Sequence, residues 1–73
     1  MFEVGERIKK LRLSQEHTRR QFASYIKISE DTLYQIEIGE QFPSLNTLIR
    51  IALIFNVTTD YLCGVTDEHG VRI

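Results

Sequence analysis

Residues 18–39 read TRRQFASYIKISEDTLYQIEIG, and they contain clear signals for the start and the end of helices. Thr18 stands three residues before Gln21, which is the spacing of a capping box at the start of a helix. Ser29 offers a second N-cap, and Gly39 suits the position just after a helix end. The stretch therefore predicts two short helices joined by a tight turn.

Each of the two helices has an apolar face. The first, ending near residue 27, would bury Phe22, Ala23 and Ile26. The second runs to about residue 38 and would bury Leu33 and Ile36. Because a helix advances about 100° per residue, its opposite face is predicted to present Glu30, Asp31, Tyr34, Gln35 and Ile38.

Three further helices are predicted around this pair. Val4, Ile8 and Leu11 recur at helical spacing and indicate an amphipathic helix over about residues 2–14. Pro43 interrupts the chain, and Ser44 is a new N-cap. The helix that follows, over about 44–56, should turn inward a stripe of Leu45, Leu48, Ile49, Ala52 and Phe55, with Ile54 and less clearly Ile51 off that stripe.

A short fifth helix is predicted over 59–63, capped by Thr58 and stopped at Gly64. Val57, Tyr61 and Leu62 would close the core. The fold class is therefore all-α, with five short helices in one domain over residues 1–66 and a polar tail over 67–73.

Length and composition restrict the function. A 73-residue chain forms one small core with little room for a catalytic cleft, so an enzyme is not expected. No apolar run approaches the roughly 20 residues of a membrane span. Cys63 is the single cysteine, which excludes an intramolecular disulfide and favours a cytoplasmic location.

The formal net charge of −1 hides an uneven distribution. Residues 1–27 contain seven basic and three acidic side chains, whereas residues 28–73 contain two basic and seven acidic ones. A surface that binds phosphates is therefore expected on the N-terminal half.

No cofactor or metal site is expected. His17 and His69 lie far apart with one distant cysteine, which is not zinc-ligand spacing, and each histidine is predicted to be solvated. Cys63 follows Leu62 at a helix end and is predicted to be a small core residue. The sequence also lacks a glycine-rich phosphate loop.

Two helices joined by a short turn are typical of the unit that places its second helix in the major groove of DNA, although other small bundles contain such pairs. The residues resemble the lambda-repressor- and Cro-like helix-turn-helix family, also called the XRE family. The resemblance covers residues 6–64 and lies in the runs 6–12, 18–23, 29–39, 43–45, 51–52, 55–57 and 60–62 and in Leu48.

The resemblance implies roles for individual residues. Arg12 and Glu37 match a structural ion pair of the family. Contacts to double-stranded DNA are implied for Thr18, Arg19, Arg20, Ser29, Glu30, Asp31, Thr32, Tyr34 and Gln35. The first three would contact phosphates, whereas Gln35 can pair with adenine and Glu30 or Asp31 can accept from cytosine N4. Tyr34 and Ile38 would meet a thymine methyl group.

The sequence departs from the family at several of these positions. Glu30 and Asp31 would repel phosphates. Alternatively, they only stabilise the helix by interacting with the positive end of its dipole. Lys27 stands where many members have glycine, and the loop after the second helix lacks basic residues. Tyr34, Ile38 and Phe42 suggest either a protein partner or partial burial against that loop.

The expected function is that of a sequence-specific DNA-binding transcriptional regulator, a repressor or dual regulator that binds an operator as a homodimer, without a cofactor. Related proteins often pair through the region of the fourth and fifth helices, which here implies Ile54, Thr59, Asp60 and Tyr61. The alternative is a protein-interaction module, antitoxin-like or antirepressor-like, that keeps the fold without DNA affinity.

Overall fold

The computed structural model describes residues 3–63, and this part of the chain contains five α-helices and no strand. The helices are α1 (Glu3–Ser14), α2 (Arg19–Ile26), α3 (Glu30–Glu37), α4 (Leu45–Phe55) and α5 (Thr59–Leu62). The predicted all-α class is confirmed. The polar tail over 67–73 and His69 lie outside the described residues.

Helices α2 to α5 begin where the sequence predicts. Thr18 and Gln21 form the capping box. The backbone N–H of Gln21 donates to Thr18 Oγ1 at 3.1 Å, and the backbone N–H of Thr18 donates to Gln21 Oε1 at 3.0 Å. Ser29, Ser44 and Thr58 cap α3, α4 and α5 in the same way. Each hydroxyl accepts from a backbone amide that the helix itself leaves without a partner.

Two helices end on a residue with left-handed backbone conformation. Lys27 ends α2 at φ 65°, and Asn56 ends α4 at φ 57°. Gly39 follows α3 at φ 86°, in agreement with its predicted position. A side chain in this region costs roughly 1–2 kcal/mol, which explains why family members favour glycine where Lys27 stands.

The core forms where the helices meet, and its largest fully buried side chains are Phe22, Ile8, Ile26, Leu33, Ile36, Ile51 and Leu62. Helix α3 packs against both α1 and α2, while α5 packs against α1 and α4. The pair of helices α2 and α3 is thus attached to the rest of the domain by contacts of α3 with α1 and of α2 with α4.

The predicted inward stripe of α4 is partly wrong. Ile51 is completely buried, whereas Leu45 and Ile49 are 69% and 43% exposed. The apolar residues of α4 lie on most sides of the helix, so their spacing does not indicate which face is buried. Thr47 is also buried, and its hydroxyl accepts a hydrogen bond from the Ser44 hydroxyl at 3.0 Å.

Two further predictions are corrected. His17 is half-buried rather than solvated, because its ring packs 5.0 Å from that of Tyr25 and 6.1 Å from that of Phe55. Cys63 is exposed rather than a core residue, because α5 ends at Leu62 and Leu62 fills the core in its place. No helix within residues 3–63 has the length and apolar character needed to cross a bilayer.

Candidate nucleic-acid interface

The two sides of α3 differ in burial and in chemistry. Leu33, Ile36 and Glu37 are buried against the other helices. The residues predicted to read bases are exposed on the opposite side: Glu30, Asp31, Tyr34 and Gln35. The two acids lie in the first turn, where they also favour the positive end of the helix dipole.

A buried ion pair joins α3 to α1, and it is formed by the two residues that the family resemblance implied. Arg12 Nε lies 2.7 Å from Glu37 Oε2, and Arg12 Nη2 lies 3.1 Å from Glu37 Oε1. The third contact of the guanidinium is the backbone carbonyl of His17 at 2.9 Å. The two-point contact ties α1 to α3, and the bond to the His17 carbonyl ties α1 to the turn that leads into α2.

Glycine at position 5 lets α1 approach α3 closely. A Cβ atom there would lie 2.0 Å from the Ile36 carbonyl oxygen and 3.3 Å from the Glu37 carbonyl oxygen. No local signal in the sequence marks Gly5, because a glycine inside a helix does not by itself indicate what lies opposite. Gly5 and the Arg12–Glu37 pair form the buried contact between α1 and α3, called here the α1–α3 seam.

The start of α2 concentrates positive charge where a helix disfavours it. Arg19 and Arg20 occupy the first turn, which contains no acidic residue. Cations at this end are destabilising by about 0.3–1 kcal/mol each. Thr18 and Arg20 are exposed to solvent, and Arg19 is partly buried. Residues that oppose a local folding rule are often retained for function.

Arg19 has two partners on α3. Its Nη1 atom lies 3.6 Å from Glu37 Oε1, and its guanidinium carbon lies 5.0 Å from the centre of the Tyr34 ring. The start of α2 is therefore directly beside the outer side of α3. This contact brings the predicted phosphate-binding and base-reading residues together on one surface.

Ser29 and Thr32, also predicted to contact DNA, lie at the start of α3. The Ser29 hydroxyl accepts from the Thr32 amide at 3.0 Å and donates to the Thr32 hydroxyl at 2.8 Å. Ser29 is exposed to solvent, and Thr32 is partly buried. Both hydroxyls have a structural role as part of the cap.

Apolar surface continues past the end of α3. Tyr34, Ile38 and Phe42 are each about half exposed, at 47%, 46% and 51%. Ile38 also lines an open groove of about 530 Å³ between α1 and the end of α3, with Glu6, Lys9, Lys10, Leu13, Glu37 and Gly39. This groove was not predicted, and its one signal in the sequence is Leu13, an apolar residue outside the buried stripe of α1.

The residues predicted for dimer contacts are separated by burial. Ile54 and Asp60 are exposed to solvent, and Thr59 is partly buried. Tyr61 is buried in the core, with the Arg7 guanidinium 4.9 Å from its ring centre. Leu53, which the sequence reasoning did not select, is 63% exposed next to Ile54.

Comparison with known proteins agrees with this architecture. A family profile described as helix-turn-helix matches residues 8–62, about three quarters of the chain. The chain belongs to the lambda-repressor- and Cro-like (XRE) helix-turn-helix family. The match runs from α1 to the end of α5 and includes both residues of the buried ion pair.

Individual relatives carry regulator names. The chain is 36% identical, over 80% of its length and 54% of the relative, to the SPbeta prophage-derived uncharacterized HTH-type transcriptional regulator YonR of Bacillus subtilis. It is 31% identical to the HTH-type transcriptional regulator ImmR of the same species, over 84% of this chain and 48% of the relative.

A third relative is the cryptic phage CTXphi transcriptional repressor RstR of Vibrio cholerae, 34% identical over 90% of this chain and 61% of the relative. The chain thus spans about half to three fifths of the length of these curated relatives.

Proposed function

We propose that the protein is a sequence-specific DNA-binding transcriptional regulator that places α3 in the major groove. One observation supports this most directly: the exposed side of α3 lies beside the two arginines at the start of α2, with Arg19 in contact with Tyr34 at 5.0 Å. Membership in the helix-turn-helix family and the regulator names of the relatives support the same function.

The proposed contacts divide by helix. Arg20 and the Thr18 hydroxyl are exposed at the start of α2, where they are suited to phosphate oxygens. On α3, Gln35 pairs with adenine, and Glu30 or Asp31 accepts from the N4 amino group of cytosine. The acids reduce affinity for phosphates in general, so they favour sites with cytosine at the start of the helix.

We further propose a repressor that binds its operator as a homodimer. RstR is named a transcriptional repressor, and exposed apolar residues on α4, including Leu53 and Ile54, offer surface for a second copy. A two-fold pair would set two α3 helices about 34 Å apart, one turn of DNA.

A protein-interaction module is the second candidate. The half-exposed side chains of Tyr34, Ile38 and Phe42 favour it, because a helix that meets only DNA has less apolar surface. Under this alternative, Glu30 and Asp31 would face a basic partner rather than bases.

A salt titration of DNA binding distinguishes the two candidates. Fluorescence anisotropy with duplexes from the upstream region of the protein's own gene should give an affinity that falls as salt rises. For each phosphate contacted, a tenfold increase in salt concentration should lower the association constant by about 0.9 log units. Arg20→Gln should make this slope shallower by about 0.9. Lys27→Gln removes the same charge at the other end of α2 and should leave the slope nearly unchanged.

Absence of binding at low salt would reject the regulator and favour the interaction module. Equal slopes for the Arg20→Gln and Lys27→Gln proteins would reject the assignment of Arg20 to a phosphate.

A further inference from the structure

Arg19 differs from Arg20, its neighbour in the first turn of α2, by being held between two groups of α3. Its guanidinium lies 3.6 Å from the Glu37 carboxylate and 5.0 Å from the centre of the Tyr34 ring. The Glu37 side chain is 1% exposed and the Arg19 side chain is 38% exposed. Arg19 is therefore oriented toward the protein, whereas the Arg20 side chain is exposed.

We infer that Arg19 is a positioning residue that fixes the Tyr34 ring, and that Tyr34 is a specificity-determining residue that contacts the methyl group of a thymine. The inference rests on the proposed DNA-binding function. It replaces the expected phosphate contact of Arg19 with a role inside the protein.

The charge of Arg19 explains why it stays in this position. A cation in the first turn of α2 is repelled by the positive end of the helix dipole. The buried Glu37 carboxylate offsets that repulsion and attracts the guanidinium toward α3. The planar guanidinium then packs over the electron-rich face of the Tyr34 ring, a contact that restricts the ring's rotation.

Tyr34 is placed to benefit from this restraint. It follows Glu30 by four residues, so it lies one turn further along the same side of α3. Arg19 packs over its ring, yet 47% of the residue remains exposed. An exposed aromatic ring on a groove-binding helix is suited to apolar contact with the thymine methyl group. A ring already held in place loses less conformational entropy on binding.

The first experiment measures the thymine preference directly. The wild-type chain selects its site from a pool of duplexes with a randomised centre, and each thymine of the selected site is then replaced by uracil, which lacks only the methyl group. One replacement should weaken wild-type binding roughly fivefold. Tyr34→Ala should abolish the difference between thymine and uracil there, and Tyr34→Phe should retain it because the ring remains.

The second experiment separates positioning from phosphate binding. Arg19→Gln should reduce the preference for thymine over uracil and leave the salt slope unchanged, whereas Arg20→Gln should make the slope shallower by about 0.9 and leave the preference intact. Thermal melting of each variant identifies a temperature at which all are folded, so a general loss of structure cannot imitate a change at one base pair.

The outcomes are distinct. No enriched sequence from the pool would overturn the proposed function and this inference with it. An enriched site whose thymine preference survives Tyr34→Ala would overturn the inference alone. A shallower salt slope for Arg19→Gln, with thymine preference intact, would return Arg19 to a phosphate and also overturn it.

Discussion

The two sides of α3 provide the clearest comparison in the molecule. The inner side meets α1 in the α1–α3 seam, where Glu37 is bound by Arg12 and the Gly5 backbone lies close to the Ile36 carbonyl. The outer side presents exposed Glu30, Asp31, Tyr34 and Gln35. Folding constrains the inner side strongly and the outer side weakly. The eight residues of α3 thus combine a fixed attachment with a surface whose side chains remain available to select a ligand.

The largest effect is expected from breaking the ion pair of the seam. Arg12→Ala should lower the free energy of unfolding by about 3 kcal/mol, because it leaves the buried Glu37 carboxylate without its two-point partner. This value is the lower end of the usual 3–5 kcal/mol, since Arg19 remains 3.6 Å away from the carboxylate. Urea unfolding followed by circular dichroism measures the loss.

A double variant provides the control for this prediction. Replacing both partners, as Arg12→Met with Glu37→Met, removes the uncompensated charge and should recover much of the lost stability. A double variant less stable than the Arg12→Ala protein would contradict the interpretation that an unpaired buried charge causes the loss.

Gly5→Ala tests the other part of the seam, with a smaller expected effect. The new methyl group would overlap the Ile36 carbonyl, so α1 and α3 must move apart at a cost of about 1–3 kcal/mol. The direction is informative because alanine otherwise stabilises a helix interior relative to glycine by about 1 kcal/mol. Glu6→Ala, at the exposed neighbouring position, should leave the urea midpoint nearly unchanged.

The sequence predicts those parts of the fold that depend on local chemistry. Thr18, Ser29, Ser44 and Thr58 identify four helix starts because a capping side chain bonds to its own helix. The outer side of α3 is also predictable, since helical periodicity sorts its residues correctly once Leu33 and Ile36 are placed inside. The Arg12–Glu37 pair came only from the family resemblance.

Features that depend on distant residues were beyond local reasoning. His17, in the turn between α1 and α2, is half-buried because Phe55 of α4 packs against its ring. The close approach at Gly5 depends on a backbone carbonyl of α3, which leaves no signal near Gly5 itself. The contact of Arg19 with Tyr34 likewise joins side chains of two helices, α2 and α3, and depends on how these helices pack together. Residues on the outer side can be identified from the sequence, but their mutual support cannot.

Gln35→Ala should have the smallest effect on stability and so completes the comparison from the outer side. The Gln35 side chain is exposed, and the backbone carbonyl that accepts from the Glu40 amide is retained in the variant. The free energy of unfolding should therefore change by less than about 0.5 kcal/mol. Binding should lose about 1–3 kcal/mol of discrimination for adenine at one base pair, because alanine cannot make the paired hydrogen bonds of the amide.

Competition binding with duplexes changed at single base pairs measures that discrimination, and Gln41→Ala, exposed in the loop after α3, is the matched control. If Gln35→Ala lowered stability as Arg12→Ala does, the outer side would share the folding role of the seam, and the separation between attachment and recognition within α3 would be wrong. A change in base preference with unchanged stability would instead locate recognition on the side of the helix that folding leaves unconstrained.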